Sequence, residues 1–217
     1  YYDITPIRAT VTLTDPFTLV AGSTTVTVTD TNHGAIDGDF VTFSGATIGY
    51  VGGNVTAADF NQEFQITYVD SDHYTITIAT TPNATDASNS PMGGTVSAAY
   101  QINTGPAVAL PVTGWGAGAW GSGTWGVGTT NYDPLRLWSQ MNFGEDLIFG
   151  PRGGGMYYWD ATTGVTTRAV NLTSLGGASD VPTVQNYIFI SDVSRFVFAF
   201  GTNDYGSSIQ DPMLIRW

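Results

Sequence analysis

Thr24-Thr25-Val26-Thr27-Val28-Thr29 sets the fold class, because every residue in it is β-branched and threonine alternates with valine from Thr25 to Thr29. Successive side chains of a β-strand point to opposite faces, so the valines share one face and the threonines share the other. Branching at Cβ also favours strands over helices. The run therefore predicts a strand with one buried face.

Similar runs recur between residues 10 and 100, separated by turn sequences such as Asn32-His33-Gly34 and Asp37-Gly38-Asp39. Asn, Asp and Gly tolerate the positive φ that such turns need. The further predicted strands are Phe40–Phe43, Glu63–Val69, Tyr74–Ile78 and Thr95–Tyr100. Glu63–Val69 and Tyr74–Ile78 flank a turn and form the best predicted hairpin. About six short strands predict a small β-barrel or β-sandwich over residues 10–100.

A helical turn is expected only at Thr56–Asn61, with Thr56 as its N-cap. Threonine in this position can accept a hydrogen bond from a free backbone N–H of the first turn. The remainder of residues 10–100 is predicted to be strands and turns.

A Trp-Gly-x-Gly-x pentad occurs three times in succession between Gly114 and Gly128, which places Trp115, Trp120 and Trp125 five residues apart. Neither the helix period of 3.6 nor the strand period of 2 puts all three rings on one face. We expect residues 101–132 to be a connector whose indole rings pack on a neighbouring surface. The alternative is a flexible linker, although plain linkers favour Gly and Ser without large apolar rings.

A second β pattern occupies residues 133–217. The predicted strands are Leu135–Trp138, Asp146–Gly150, Gly155–Asp160, Val165–Arg168, Asn186–Ile190, Phe196–Gly201 and Met213–Trp217. Four short strands spaced about ten residues apart are the content of one propeller blade, and a second round begins at Asn186. The sequence thus predicts about two propeller-like blades. Because a propeller typically needs at least four blades, we expect either a truncated chain or partner chains that complete the β structure.

The composition excludes several classes of chemistry. The chain has no cysteine, so disulfides, thiol catalysis and Cys-ligated zinc are excluded. It has no lysine, which removes Schiff-base chemistry and the lysine of a P-loop. A net charge of −12 argues against general binding to nucleic-acid phosphates. No apolar stretch is long enough to cross a membrane, and Tyr1 in place of Met predicts a fragment or a processed product.

The candidate sites each have a simpler structural explanation. His33 and His73 lie in turns beside Asp or Asn, where turn polarity explains them better than a shared metal. Calcium is a weak alternative for the oxygen-rich run of Asp30, Asn32, Asp37 and Asp39, whose spacing does not match an EF-hand.

Paired carboxylates for glycoside hydrolysis are also not predicted, because nothing brings any two of Glu63, Glu145 and Asp146 together. Glu145-Asp146 is predicted to form a hairpin turn. Arg152-Gly153-Gly154-Gly155 opens no helix, so it predicts a tight turn and not a phosphate loop. Arg152 is a solvated arginine or contacts DNA or a neighbouring subunit. No catalytic residue, cofactor or metal is predicted.

Four groups of residues form a recognisable set: Tyr2–Arg8, Thr113–Gly128, Phe149–Gly154 with Tyr158-Trp159-Asp160, and Asp211–Trp217. Together they resemble the tail nozzle, or packaged-DNA stabilisation, proteins of short-tailed bacteriophages. The resemblance implies an all-β fold in which a β-propeller, residues 1–9 and 133–217, carries residues 10–100 as an inserted β domain. It also implies a homo-oligomeric ring in the virion tail, partnered by portal and other tail proteins, with DNA only passing through the channel.

Three functional hypotheses follow. The first is a non-enzymatic structural subunit of the tail ring. The second is a β module that binds carbohydrate or a host receptor, with a host-surface glycan as partner, because exposed Tyr and Trp rings stack on sugars. The third is a glycan-degrading tailspike, which is disfavoured because the long β-helix repeats usual in such proteins do not occur.

Overall fold

The computed structural model describes residues 2–47, 53–84, 92–105 and 136–217. The chain divides into two compact units. Residues 7–103 form the first unit, and residues 1–6 with 104–217 form the second. All four sheets are antiparallel, and three short 3-10 helices are the only helices among the described residues. The predicted all-β class is therefore confirmed.

The first unit contains two four-stranded sheets. Its strands are β1 (Ile7–Thr14), β2 (Phe17–Thr18), β3 (Thr25–Thr29), β4 (Phe40–Ser44), β5 (Glu63–Gln65), β6 (Thr67–Tyr68), β7 (His73–Thr77) and β8 (Thr95–Gln101). One sheet has the order β1-β8-β4-β5 and the other β2-β3-β7-β6. The chain passes from one sheet to the other between β1 and β2 and again between β5 and β6. These four strands are the edge strands of the two sheets.

Alternate side chains of the first unit's strands are buried in its core, as the sequence predicts. Val26 and Val28 of β3 are buried while the threonines beside them reach the surface or its margin. Strand β4 buries Val41 and Phe43 and ends before Gly45, which has a φ of +79°. The predicted helical turn is the 3-10 helix Ala57–Asp59, with Thr56 at its N-cap in a capping box.

The predicted hairpin of Glu63–Val69 with Tyr74–Ile78 is wrong in its first half. The chain bends at buried Ile66, whose N–H donates to the Asp39 carbonyl and whose carbonyl accepts from Gly38. Strand β5 therefore pairs with β4, and only Thr67 and Tyr68 pair with β7. The main partner of β7 is β3, through five paired residues. Local alternation could not reveal this bend.

Aromatic rings fill the centre of the first core. Phe17 is fully buried, stacks on Phe60 with 4.4 Å between ring centroids, and meets Phe43 edge-on at 5.1 Å. Gly93 lies against the same ring, because a Cβ built there would approach Phe17 Cδ2 to 2.8 Å. The close approach requires glycine at this position, which also has a φ of +126°.

The second unit contains two antiparallel meanders. Its strands are β9 (Trp138–Phe143), β10 (Asp146–Pro151), β11 (Tyr157–Trp159), β12 (Val170–Asn171), β13 (Tyr187–Ile190), β14 (Val197–Phe200) and β15 (Ile215–Arg216). The first sheet has the order β12-β11-β10-β9 and the second β13-β14-β15, so each strand pairs with its neighbours in sequence. Ile148 from the first sheet and Ile188, Ile190 and Ala199 from the second share one core.

Two predicted strands of this unit are corrected. The strand placed at Leu135–Trp138 begins only at Trp138, and Leu135 lies outside the described residues. The strand placed at Val165–Arg168 is a turn closed by a hydrogen bond from Thr167 N–H to the Gly164 carbonyl, and the strand is Val170–Asn171. Alternation of Val and Thr was misleading here because this segment is mostly exposed.

Residues 2–6 belong to the second unit although residues 7–103 separate them from the rest of it in sequence. The Ala169 N–H donates to the Ile4 carbonyl, and Arg168 Nη1 lies 2.8 Å from Asp3 Oδ2. Arg168 also donates to the Thr5 carbonyl. The start of the chain is thus held beside the approach to β12.

Among the described residues, none of the helices has the length and hydropathy that a membrane crossing requires.

Candidate functional site

Of the four site residues named in the sequence analysis, the structure describes only Arg152. Trp115, Trp120 and Trp125 lie outside the described residues, so their packing role stays a prediction. Arg152 is exposed in the turn between β10 and β11, where its N–H donates to the Leu137 carbonyl. Gly153 follows with a φ of +73°, as the predicted tight turn requires. A contact of Arg152 with DNA or a neighbouring subunit also stays a prediction.

The two histidine rings form hydrogen bonds with residues of nearby turns. The Nδ1 atom of buried His33 accepts from the Ala35 N–H at 3.0 Å, so its Nε2–H is the donor to the Asp70 carbonyl at 2.9 Å. His73 Nδ1 lies 2.9 Å from the Asp70 carboxylate at the surface. The Asp72 backbone N–H and then the His73 ring lower the pKa of Asp70. Both rings are accounted for by turn contacts.

The four residues weighed for calcium are used separately. Asp37 accepts from the Tyr68 N–H at 3.1 Å, and Asp39 accepts from Ile36 N–H and from Asn103 Nδ2. Across residues 2–47, 53–84, 92–105 and 136–217, no group of three His, Asp or Glu side chains is arranged to hold a metal ion.

The carboxylates weighed for glycoside hydrolysis are likewise engaged in structural bonds. Glu63 accepts from Gln101 Nε2 at 2.5 Å, and Asp146 accepts from the Tyr158 hydroxyl at 2.5 Å and from the Ala161 N–H. Asp146 pairs with Phe143 as the first residue of β10, so the turn is made by residues 144–145 and not by Glu145-Asp146. The hydrogen bond that the Tyr158 hydroxyl donates to Asp146, more than burial, raises the pKa of Tyr158 to about 12.

A buried polar chain in the first unit was not predicted. The Tyr100 hydroxyl donates to Asp30 Oδ2 at 2.5 Å and lies 2.8 Å from the Tyr74 hydroxyl, which is therefore its donor. The Arg8 guanidinium lies over the Tyr100 ring at 5.0 Å and donates to the His33 carbonyl. Burial raises the pKa of both tyrosines. Both hydroxyls, Asp30 Oδ2 and Arg8 Nη2 thus have hydrogen-bond partners, so these polar residues stabilise the core.

This chain of hydroxyls predicts a loss of stability at alkaline pH. Because the native pKa of Tyr100 is raised, the unfolded state releases this proton first, and stability falls as the pH rises above about 10. Tyr100→Phe should cost about 1–3 kcal/mol at pH 8, since Asp30 loses its donor. The variant should then lose less stability than wild type between pH 8 and pH 10.5 in urea unfolding. Equal losses would contradict the assignment.

A polar cleft of about 540 Å³ opens in the second unit. It lies between residues 173–183, which follow β12, and residues 203–208, which follow β14, with Arg216 of β15 beside it. The lining is rich in hydroxyl, carboxylate and amide groups and contains one aromatic ring, Tyr205. The sequence predicts no site here, because neither loop carries a pattern that indicates the other.

The cleft is held in shape by two residues. Buried Asn203 accepts from the N–H groups of Thr183 and Val184 and donates to the Ser207 carbonyl at 2.6 Å. Arg216 donates to the carbonyls of Asn203 and Asp180 and forms an ion pair with the Asp180 carboxylate. Both loops are therefore fixed before any ligand arrives.

An aromatic face covers the second meander. Ile188, Ile190 and Ala199 point to the shared core, so the alternate residues of β13 and β14 point away from it. Tyr187 pairs with Phe200 at 6.3 Å and Phe189 with Phe198 at 6.1 Å between ring centroids. Tyr187 is 54% exposed and Phe189 is 43% exposed. We call Tyr187, Phe189, Phe198, Phe200 and Ile215 the aromatic face.

Comparison with known proteins identifies no family. No protein-family model matches the chain, and no curated protein matches it. Among solved structures the chain is similar to the phage phi92 endosialidase, with a TM-score of 0.34 and 18% sequence identity. The match covers 92% of this chain and 29% of that one, so the chain spans less than a third of the endosialidase. At this score the likeness decides neither fold nor function.

Proposed function

We propose that this chain is a structural, non-enzymatic subunit of a tail nozzle ring in a short-tailed bacteriophage. The observation that carries the proposal is the pair of consecutive meanders in the second unit, β9–β12 and β13–β15, which share a core. Sequential antiparallel sheets stacked in this way are the building blocks of a propeller. They agree with the resemblance to nozzle proteins.

The contact between the meanders has the form expected of adjacent blades. Strands β9 and β13 are the first of their sheets, and they lie beside each other. The Ile188 N–H donates to Ser139 Oγ at 3.1 Å, and the Ile190 N–H lies 3.2 Å from Met141 Sδ. In a propeller the corresponding strands of successive blades approach one another around the central channel. Residues 133–217 would then supply two blades.

The position of the first unit in the sequence also supports the proposal. Residues 2–6 contact Arg168 and Ala169 of the second unit, and residues 7–103 form their own core. In the nozzle interpretation, residues 7–103 are the β domain inserted into the propeller. The two-sheet sandwich seen here is one of the two architectures expected for that insertion.

The aromatic face supplies the surface for assembly. A sheet face with four aromatic side chains is costly to leave in water and marks an interaction surface. The opposite face of the β13-β14-β15 sheet is already covered by the first meander. A further β-sheet stacked on the aromatic face would bury Phe189 and Phe198. A net charge of −12 favours a channel through which DNA passes without adhering.

Location in the virion tests the proposal. Antibodies raised against the chain, used to label purified phage particles that carry it, should mark the tail below the portal. Image reconstruction should show a ring of several copies at that position. Label on the capsid shell, on distal fibres only, or absent from the particle would overturn the nozzle assignment.

Phe189→Asp is expected to lower incorporation into particles about tenfold or more, because it places a charge in the centre of the aromatic face. The measurement is the ratio of this protein to the major capsid protein in purified particles. Val193→Asp is the matched control, since Val193 is almost fully exposed in the turn between β13 and β14. Equal incorporation of both variants would show that the aromatic face takes no part in assembly.

A further inference from the structure

We propose that the polar cleft beside Tyr205 binds a neutral oligosaccharide. This inference goes beyond ring assembly, because it rests on residues 173–183, 203–208 and 216 and not on the aromatic face. The two proposals can fail separately. A nozzle subunit that binds no saccharide would refute only the cleft proposal, and a saccharide-binding protein outside the nozzle would refute only the nozzle proposal.

The size and lining of the cleft select the class of ligand. A volume of about 540 Å³ lies within the range of about 300–1,000 Å³ usual for small-molecule sites. Such sites are mostly apolar, whereas polar atoms form slightly more than half of this lining, in which Ala178 and Val181 are the main aliphatic side chains. A ligand that covers these polar groups has to offer them hydrogen-bond partners in place of water.

The polar groups in the cleft include both donors and acceptors. The hydroxyls of Ser179 and Ser208 form no hydrogen bond with the described residues, and each can donate and accept. Asp204 uses one carboxylate oxygen for the Tyr205 N–H, which leaves the other as an acceptor. Sugar hydroxyls also donate and accept, so a saccharide matches this mixture better than an apolar ligand would.

Tyr205 supplies the apolar element that sugars need. Tyr205 lines the cleft and is 73% exposed to solvent. A flat aromatic ring packs against the C–H groups of a hexose, which lie on one face of the sugar ring. The loop that carries Tyr205 is fixed by Asn203 and Arg216, so little ordering is required on binding.

The charges favour a neutral saccharide. Arg216 is paired with Asp180, so it is not available for a ligand carboxylate or phosphate. Asp204 then leaves the cleft with a net negative charge, in a chain whose overall charge is −12. Like charges repel an anionic ligand, which disfavours sialic acids and uronic acids at this site.

Binding of defined tetrasaccharides to the full chain tests the proposal. Maltotetraose, cellotetraose, chitotetraose and mannotetraose are the neutral probes, and a trimer of sialic acid is the anionic probe. Saturation-transfer NMR followed by calorimetry should show at least one neutral probe binding with a Kd of about 1 mM or tighter. No binding by any neutral probe, or tighter binding of the sialic acid trimer, would overturn the proposal.

Variants at Tyr205 locate the binding. Tyr205→Ala should weaken the neutral probe about tenfold, because it removes the ring, and Tyr205→Phe should retain most of the affinity. Tyr2→Ala is the matched control, since Tyr2 is 69% exposed in the same unit but does not line the cleft. Unchanged affinity in Tyr205→Ala, with the native fold retained, would place the binding elsewhere and overturn the assignment.

Discussion

Replacing Phe17 with alanine is expected to lower the free energy of unfolding of residues 7–103 by about 3–5 kcal/mol. The ring is fully buried between Phe60 and Phe43, and its removal leaves a cavity that neither neighbour can fill without losing its own contacts. For a unit of this size the change is a large part of the total stability.

Hydrogen exchange followed by mass spectrometry is the appropriate measurement, because it reports peptides of residues 7–103 separately. Exchange in β2, β3 and β7 should accelerate strongly in Phe17→Ala. Val20→Ala serves as the control, since Val20 is 55% exposed and its loss should change stability by less than about 0.5 kcal/mol. Similar protection in the two variants would show that the Phe17 stack does not hold the sandwich.

Asn203→Ala should destabilise the second unit by about 3 kcal/mol or more. The side chain accepts from two backbone N–H groups and donates to two carbonyls while it is buried. Alanine would remove all four of these part-buried hydrogen bonds, including those from the Thr183 and Val184 N–H groups, and each lost bond costs about 0.5–1.5 kcal/mol. The loops on both sides of the polar cleft should loosen together.

The change is measured as the denaturant midpoint and as exchange in peptides that contain residues 173–184 and 203–210. Asn142→Ala is a matched control, because Asn142 is exposed on β9 and its side chain makes no described hydrogen bond. If Asn203→Ala behaved like this control, the shape of the cleft would have to depend on Arg216 alone.

Strand content could be predicted because strands with one buried face carry their own signal. Val26 and Val28 on β3, and Ile188 and Ile190 on β13, alternate with outward-facing residues, and the structure buries all four. The prediction failed where burial changes within a run. Ile66 turns the chain from one sheet to the other, and alternation continues through the bend without marking it.

The polar cleft and the Asp30–Tyr100–Tyr74 chain could not be predicted for a different reason. Asp30 and Tyr100 are far apart in sequence and meet only because Tyr100 lies on β8 and Asp30 directly follows β3. Likewise, Arg216 on β15 meets residues 180 and 203 only because β13, β14 and β15 pair into one sheet. Such sites depend on the pairing of distant strands, which residue patterns within a short window do not contain.

The pairing of β1 with β8 has a consequence for the order of folding. Ile7 pairs with Gln101 and Thr14 with Thr95, so the first and last strands of residues 7–103 lie side by side. A contact between such distant segments carries a high loop-closure entropy and forms slowly. During synthesis β1 must wait for β8 to emerge. Residues 2–6 must wait still longer for Arg168 and Ala169, so β1 and the residues before it stay unpaired through much of synthesis.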